Sequence, residues 1–151
     1  MTATPESIAL VVTAAEAAAD KLAEHIIAFD VSEALAITDA FLLCSAPSDR
    51  QVQGIVDGIE ERLRVEHGVK PVRREGAREG RWVLLDFIDF VVHVQHTEER
   101  VYYSLERLWK DCPTIPLPES VTSGSRAVRA ALVPSGDDSV APFDEEAALD
   151  A

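Results

Sequence analysis

The stretch Arg81-Trp82-Val83-Leu84-Leu85-Asp86-Phe87-Ile88-Asp89-Phe90-Val91-Val92-His93-Val94-Gln95-His96 constrains the fold more than any other part of the chain. Valine, isoleucine and aromatic side chains fit a pleated, half-buried surface, and the acids interrupt the apolar runs where the chain must turn. The pattern predicts two strands joined by a tight acidic corner. Its polar content needs a reason: Asp86, Asp89, His93, His96 and an indole, Trp82, at the very start. Such a segment is either an active site on a sheet or a docking surface that also holds the core together.

The flanking chain supplies partners for these strands. Thr4-Pro5-Glu6-Ser7 reads as a helix start, with Thr4 as cap and Pro5 in the first turn. Ile8, Val11, Val12, Ala15, Ala18, Ala19, Leu22 and Ile26 then keep one apolar face, which predicts a helix to about Ala28. Ala34-Leu35-Ala36-Ile37 reads as a short strand, Thr38-Asp39 as a turn, and Ala40-Phe41-Leu42-Leu43-Cys44-Ser45 as a strand covered on both faces. Ser48 caps a second helix with Gln51 three residues on, Val52, Ile55, Val56, Ile59 and Leu63 form its apolar face, and Gly68 stops it. Val69 to Val72 starts a third strand, and Glu75 to Gly80 is a polar loop. After His96, Thr97 starts a helix that runs through Val101, Tyr102, Leu105, Leu108 and Trp109 to the break at Asp111-Cys112-Pro113.

This order predicts an α/β sandwich: a mixed sheet of about five strands flanked by helices. Strands one and two, and four and five, should pair antiparallel, and the second helix permits a parallel crossover. From Pro116 onward seven acids face two basic residues without apolar periodicity. The reading is a domain over residues 1–115 and an acidic, disordered tail over 116–151.

Charge and cysteine usage narrow the classes of function. The net charge of -13 opposes a sequence-independent grip on phosphate backbones. Lys70, Arg73, Arg74, Arg78 and Arg81 nevertheless cluster, against only Glu75 and Glu79. An acidic chain with one basic patch is better read as a binder of a protein partner that sits near RNA. Two cysteines make no disulfide framework. The start of the chain has no positive flank before its apolar residues, and no apolar run approaches the roughly 18 residues of a membrane span. A soluble, cytoplasmic protein is the expectation.

Catalysis has one candidate. Asp86 and Asp89 could hold a divalent metal, as paired acids do in phosphoryl transfer, and the element order is similar to the nucleotidyltransferase fold. Those enzymes, however, open a helix with a Gly-Ser pair, and here the turn is Cys44-Ser45-Ala46-Pro47-Ser48-Asp49. Asp86 and Asp89 are three apart and cannot share one face of an uninterrupted strand, and the same holds for His93 and His96. The simplest role for His93 is a buried ring bonded to a backbone group or to Asp86 across the hairpin. Cys44 reads as a core residue, and Ser45 has no histidine–acid pair in view. Trp82 either anchors an interface, as exposed aromatics beside arginine do, or seals the core against the N-terminal helix.

Two signatures then resemble the ribosomal silencing factor family (RsfS, Iojap-related). The first is Ile37-Thr38-Asp39-Ala40-Phe41, Cys44-Ser45 and Ser48-Asp49-Arg50-Gln51-Val52. The second is Trp82-Val83-Leu84-Leu85-Asp86-Phe87, Asp89, Val91-Val92-His93-Val94 and Tyr102-Tyr103-Ser104-Leu105-Glu106-Arg107-Leu108-Trp109. The resemblance covers about Ile8 to Pro113. Ile88 stands where the family usually has glycine, and Gln95 where it has an apolar or aromatic residue.

The resemblance implies a non-enzymatic role without cofactor or metal. Family members are similar to nucleotidyltransferases in fold, bind the large ribosomal subunit through ribosomal protein L fourteen, block the small subunit and repress translation when nutrients are scarce. They also self-associate when free, as homodimers. Carried over by position, Trp82 is the expected contact, with Val83, Leu84 and Asp86 beside it and Arg81 and Arg107 as polar partners or rRNA contacts. Both parities of the Trp82 strand are apolar, so alternation leaves its exposed face open. The alternative class is a metal-dependent nucleotidyltransferase-like enzyme using Asp86 and Asp89.

Overall fold

In a computed structural model describing residues 2–76 and 80–122, the first helix, α1, spans Pro5–Asp20. Its start follows the sequence reading: the Thr4 hydroxyl accepts from the Ser7 amide at 3.1 Å, and Pro5 fills the first turn, where a missing N–H leaves no bond unmade. Its end does not. The helix stops at Asp20, Leu22 turns into the left-handed region at φ 65°, and Glu24–Asp30 is strand β1. Leu22 and Ile26 continue the helical spacing by coincidence. Ile26 and Ala28 in fact face the helices while Ile27 and Phe29 face the other side, a two-residue period masked by burial on both faces.

Ala34 to Ile37 is not a strand. It lies in the connection from β1 to β2, a loop closed by the Val31 amide on the Asp39 carbonyl at 2.9 Å, and Ile37 is 83% exposed. Strand β2 is Ala40–Ala46 and is central as expected. Helix α2, Asp49–His67, also matches: the Ser48 hydroxyl accepts from the Gln51 amide, Gly68 ends the helix at φ 67°, and Val52, Ile55, Val56, Ile59 and Leu63 are its buried residues. The third strand, β3, falls at Arg73–Glu75 instead of Val69 to Val72, as three exposed residues. Strands β4, Trp82–Asp86, and β5, Phe90–His96, form the expected hairpin.

The sheet order is β1-β2-β5-β4-β3. β2 and β5 pair parallel, across the crossover that contains α2, and every other neighbouring pair is antiparallel. Alternation then splits the strands cleanly. Ala40, Leu42, Cys44, Val83, Leu85, Phe90, Val92 and Val94 join α1 and α2 in the main core. Burial pushes the Cys44 thiol up to about 12, which fits a core residue. On the opposite face Phe29 and Leu43 pack with Leu105, Trp109 and Cys112.

The last predicted helix is two pieces: α3, Thr97–Tyr103, and α4, Leu105–Leu108, hinged at Ser104 with φ 49°. The cap of α3 is His96, whose Nδ1 accepts from the Glu98 amide at 3.1 Å. The chain stays packed beyond Ile115, since Val121 is fully buried and Leu117 lies against the main core. The disordered tail read from the sequence falls, from residue 123 on, outside the described residues.

The corner between β4 and β5 is where Ile88 stands in place of the glycine that the resemblance leads one to expect. The Asp89 amide donates to the Phe87 carbonyl at 2.9 Å, a three-residue turn, and Ile88 at its centre has φ 74°. A β-branched residue in that region is strained by about 1–2 kcal/mol. Ile88→Gly should therefore stabilise the chain by about 0.5–1 kcal/mol, the relief being partly offset by the greater freedom of unfolded glycine. A urea titration checks this, and an unchanged midpoint would show that the turn holds no strain.

Candidate docking face

Among the described residues, the face of the sheet opposite α1 and α2 is only half covered. Register places Phe41 beside Val91 and Val91 beside Asp86, Leu43 beside His93 and His93 beside Leu84, and Gln95 beside Trp82. Toward β1 this face lies under α4 and the residues after it. Toward β4, the side chains of Trp82, Leu84, Asp86, Val91 and Phe41 are all partly exposed. A ladder of rings crosses the strands there. Trp109 meets Phe41 edge-on at 5.1 Å, Phe41 meets His93 at 5.2 Å, His93 lies 6.1 Å from Trp82, and Trp82 packs on Tyr103 at 4.9 Å. Tyr102, 79% exposed, extends the ladder from Tyr103 into solvent.

Trp82 and Leu84 therefore belong to one surface. Val83 does not: it is 0% exposed and sits in the main core, because alternation turns it toward the helices. Trp82 does not seal the core against the N-terminal helix, since α1 lies across the sheet from it. Asp86 shares the open face, but its carboxylate is occupied. Oδ1 accepts from the Ile88 amide at 2.8 Å and Oδ2 from Arg73 at 3.2 Å. Asp89 stands in the corner, its carbonyl accepting from the Asp39 amide. Among the described residues no three His, Cys, Asp or Glu side chains gather as metal ligands.

The basic cluster is largely neutralised by its neighbours. Arg73 pairs with Glu75 and Asp86, Arg74 with Glu60, and Arg81 with Asp49, Glu98 and Glu99. Arg78 lies outside the described residues. Arg107, on α4, is exposed. No described helix is long and apolar enough to cross a membrane.

A polar group lies under α3 and α4. Arg100, 4% exposed, reaches both Glu106 carboxylate oxygens at 3.2 and 3.3 Å and the Ser45 hydroxyl at 3.3 Å. Glu24 is buried nearby. Desolvation raises its carboxyl above the usual range, with Thr97 and Arg100 opposing the rise. Gln95 is fully buried and neither amide atom has a partner, so an apolar residue there would leave nothing unpaired.

His93 is the residue whose partner the sequence reading missed. Its Nδ1 lies 3.2 Å from the Trp82 indole nitrogen, not against Asp86 or a backbone group. Trp82 and His93 are diagonal neighbours across β4 and β5, a relation that needs the register to be seen.

Residues 4–139 match the family described as "Ribosomal silencing factor during starvation". This chain belongs to the ribosomal silencing factor (RsfS) family. It is 46% identical to ribosomal silencing factor RsfS of Bacillus subtilis over 104 residues, covering 69% of this chain and 87% of that one. The RsfS of Halalkalibacterium halodurans is 43% identical, over 69% of this chain and 88% of its own. The chloroplastic protein Iojap of Zea mays is 30% identical over 115 residues, covering 75% of this chain and 49% of its own. Among solved structures, a Chromobacterium violaceum protein superposes with a TM-score of 0.64 at 34% identity, covering 68% of this chain and 84% of that one. The two RsfS signatures now have places in the fold. The first leads into β2 and caps α2, and its Asp39 accepts from the Ser7 hydroxyl and the Thr4 amide, tying down the start of α1. The second builds β4, β5, α3 and α4, and with them the open face.

Proposed function

We propose that this chain silences ribosomes by docking the Trp82 face on the large subunit, through ribosomal protein L fourteen, so that the small subunit cannot join. The single observation behind this is an apolar, aromatic sheet face that the described residues leave open beside Trp82 and Leu84, in a chain whose relatives are named ribosomal silencing factors. Protein interfaces concentrate their binding energy in such aromatic anchors, ringed by polar groups. Arg81, held by Asp49, Glu98 and Glu99, and Arg107 form the polar border, with Arg107 the one to supply any contact to rRNA, while Asp86 holds Arg73 at the far side. The net charge of -13 favours approach to a basic ribosomal protein. In the absence of subunits the same face takes a second copy of the chain. The action is steric, needs no cofactor, takes place in the cytoplasm and lowers translation under nutrient limitation.

Sedimentation with purified large subunits tests the reading. The wild-type chain should pellet with free large subunits and not with joined ribosomes. Trp82→Glu should keep its circular dichroism, because the indole is partly exposed and stands outside the main core, with a melting temperature lowered only by the loss of the His93 bond and the Tyr103 contact, yet bind roughly thirtyfold or more weakly, the loss of an anchor costing about 2 kcal/mol or more. Unchanged pelleting of the variant would remove Trp82 from the contact.

A further inference from the structure

We infer that His93 is a positioning residue for Trp82: it orients the indole on the open face before any partner arrives. The inference rests on the docking reading above and names a residue that acts through Trp82. The geometry is specific. An indole N–H can only donate, so at 3.2 Å the Nδ1 of His93 must accept, which fixes the ring as neutral with its proton on Nε2. His93 is 7% exposed, held edge-on by Phe41 at 5.2 Å and seated between Leu43 and Leu84 in the register. Burial lowers its pKa to about 4, so the accepting form persists through neutral pH.

The consequence for Trp82 follows from its two side-chain torsions. A partly exposed indole on a strand has several rotamers, and binding would have to select one. Here one edge is tied to His93 and the ring packs on Tyr103 at 4.9 Å, 49° from parallel. Both restraints come from elements other than β4. The remaining surface of the indole is presented in a single orientation, next to Leu84. Pre-ordering one rotamer-rich side chain strengthens binding by roughly three- to tenfold.

Two substitutions separate positioning from packing. His93→Phe keeps a ring of similar volume and removes the acceptor. His93→Asn loses volume but places a carboxamide oxygen close to where Nδ1 stands. The indole N–H signal of Trp82, assigned by its loss in Trp82→Phe, is followed by nitrogen-edited NMR in the free chain, and large-subunit affinity is measured beside it. In His93→Phe the signal should move toward that of a solvent-exposed indole and exchange faster, and affinity should fall three- to tenfold at an unchanged melting temperature. In His93→Asn both should return toward wild type although the packing is worse. A His93→Phe chain that binds like wild type, or losses of affinity that follow the melting temperature in both variants, would overturn the positioning role. A wild-type chain that ignores large subunits would overturn the docking face instead. The indole signal is read without ribosomes and keeps the two failures apart.

Discussion

Glu106→Ala should destabilise the chain by about 2–3 kcal/mol. The carboxylate neutralises Arg100, whose guanidinium is almost wholly buried between α3 and β2 and whose other described hydrogen bond is to the Ser45 hydroxyl. Removing one partner of a fully buried pair costs about 3–5 kcal/mol, because the remaining charge stays desolvated. The effect here is smaller for two reasons. The Glu106 side chain is 19% exposed, so water can enter beside Arg100, and the buried Glu24 remains as a second counter-charge. Glu106→Gln keeps an acceptor and should recover part of the loss. Urea unfolding of the three chains measures this, and an alanine variant within 0.5 kcal/mol of wild type would mean that the pair does not hold α4 to the sheet. The site depends on it, since Trp109 follows α4 directly and is the first ring of the ladder.

Gly76→Ala should cost about 3 kcal/mol or more and weaken binding as well. A Cβ at this position would stand 2.0 Å from the Trp82 carbonyl oxygen and 3.1 Å from its carbon, on a backbone at φ 80°. Both obstructing atoms are main chain, so no rotamer change relieves the overlap. Either β3 or the start of β4 must move, and β4 carries the indole. At Gly68, φ is similar but a Cβ would meet nothing within 4 Å, so substitution there costs only the left-handed strain of about 1 kcal/mol. Thermal melts of the two alanine variants compare a steric block with strain alone. Equal losses would show that the loop after β3 yields freely.

Local chemistry decides what the sequence reveals. α2 was legible because both of its ends are marked, by Ser48 and Gln51 at one and Gly68 at the other, with one unmixed apolar face between. β1 was hidden because burial on both sides erased its alternation and Leu22 and Ile26 extended the helical spacing. The split between α3 and α4 turns on Ser104 alone, a residue with no obligatory turn signature. At the site, Trp82 stood out by its type and its neighbours. The choice between Val83 and Leu84 required knowing which face the helices cover, and the His93–Trp82 bond required the register of β4 on β5. Distances between strands are not written in either strand alone.

The two margins of the sheet bear on how a chain whose described residues leave an apolar face open would avoid indiscriminate assembly. Along β1 the ladder is closed by later chain: the Asp30 amide donates to Pro113 at 2.8 Å, and the Ile115 amide to Ala28 at 2.9 Å. Along β3, among the described residues, only Arg73, Arg74 and Glu75 form the edge strand, and all three are exposed, charged and tied into ion pairs. Neither margin accepts a further strand readily. On the docking reading, association is thereby directed to the flat of the sheet, where one partner would saturate the surface. Strand addition has no such limit, because each new copy presents a fresh margin to the next. The blunted rim turns a sticky surface into a countable one.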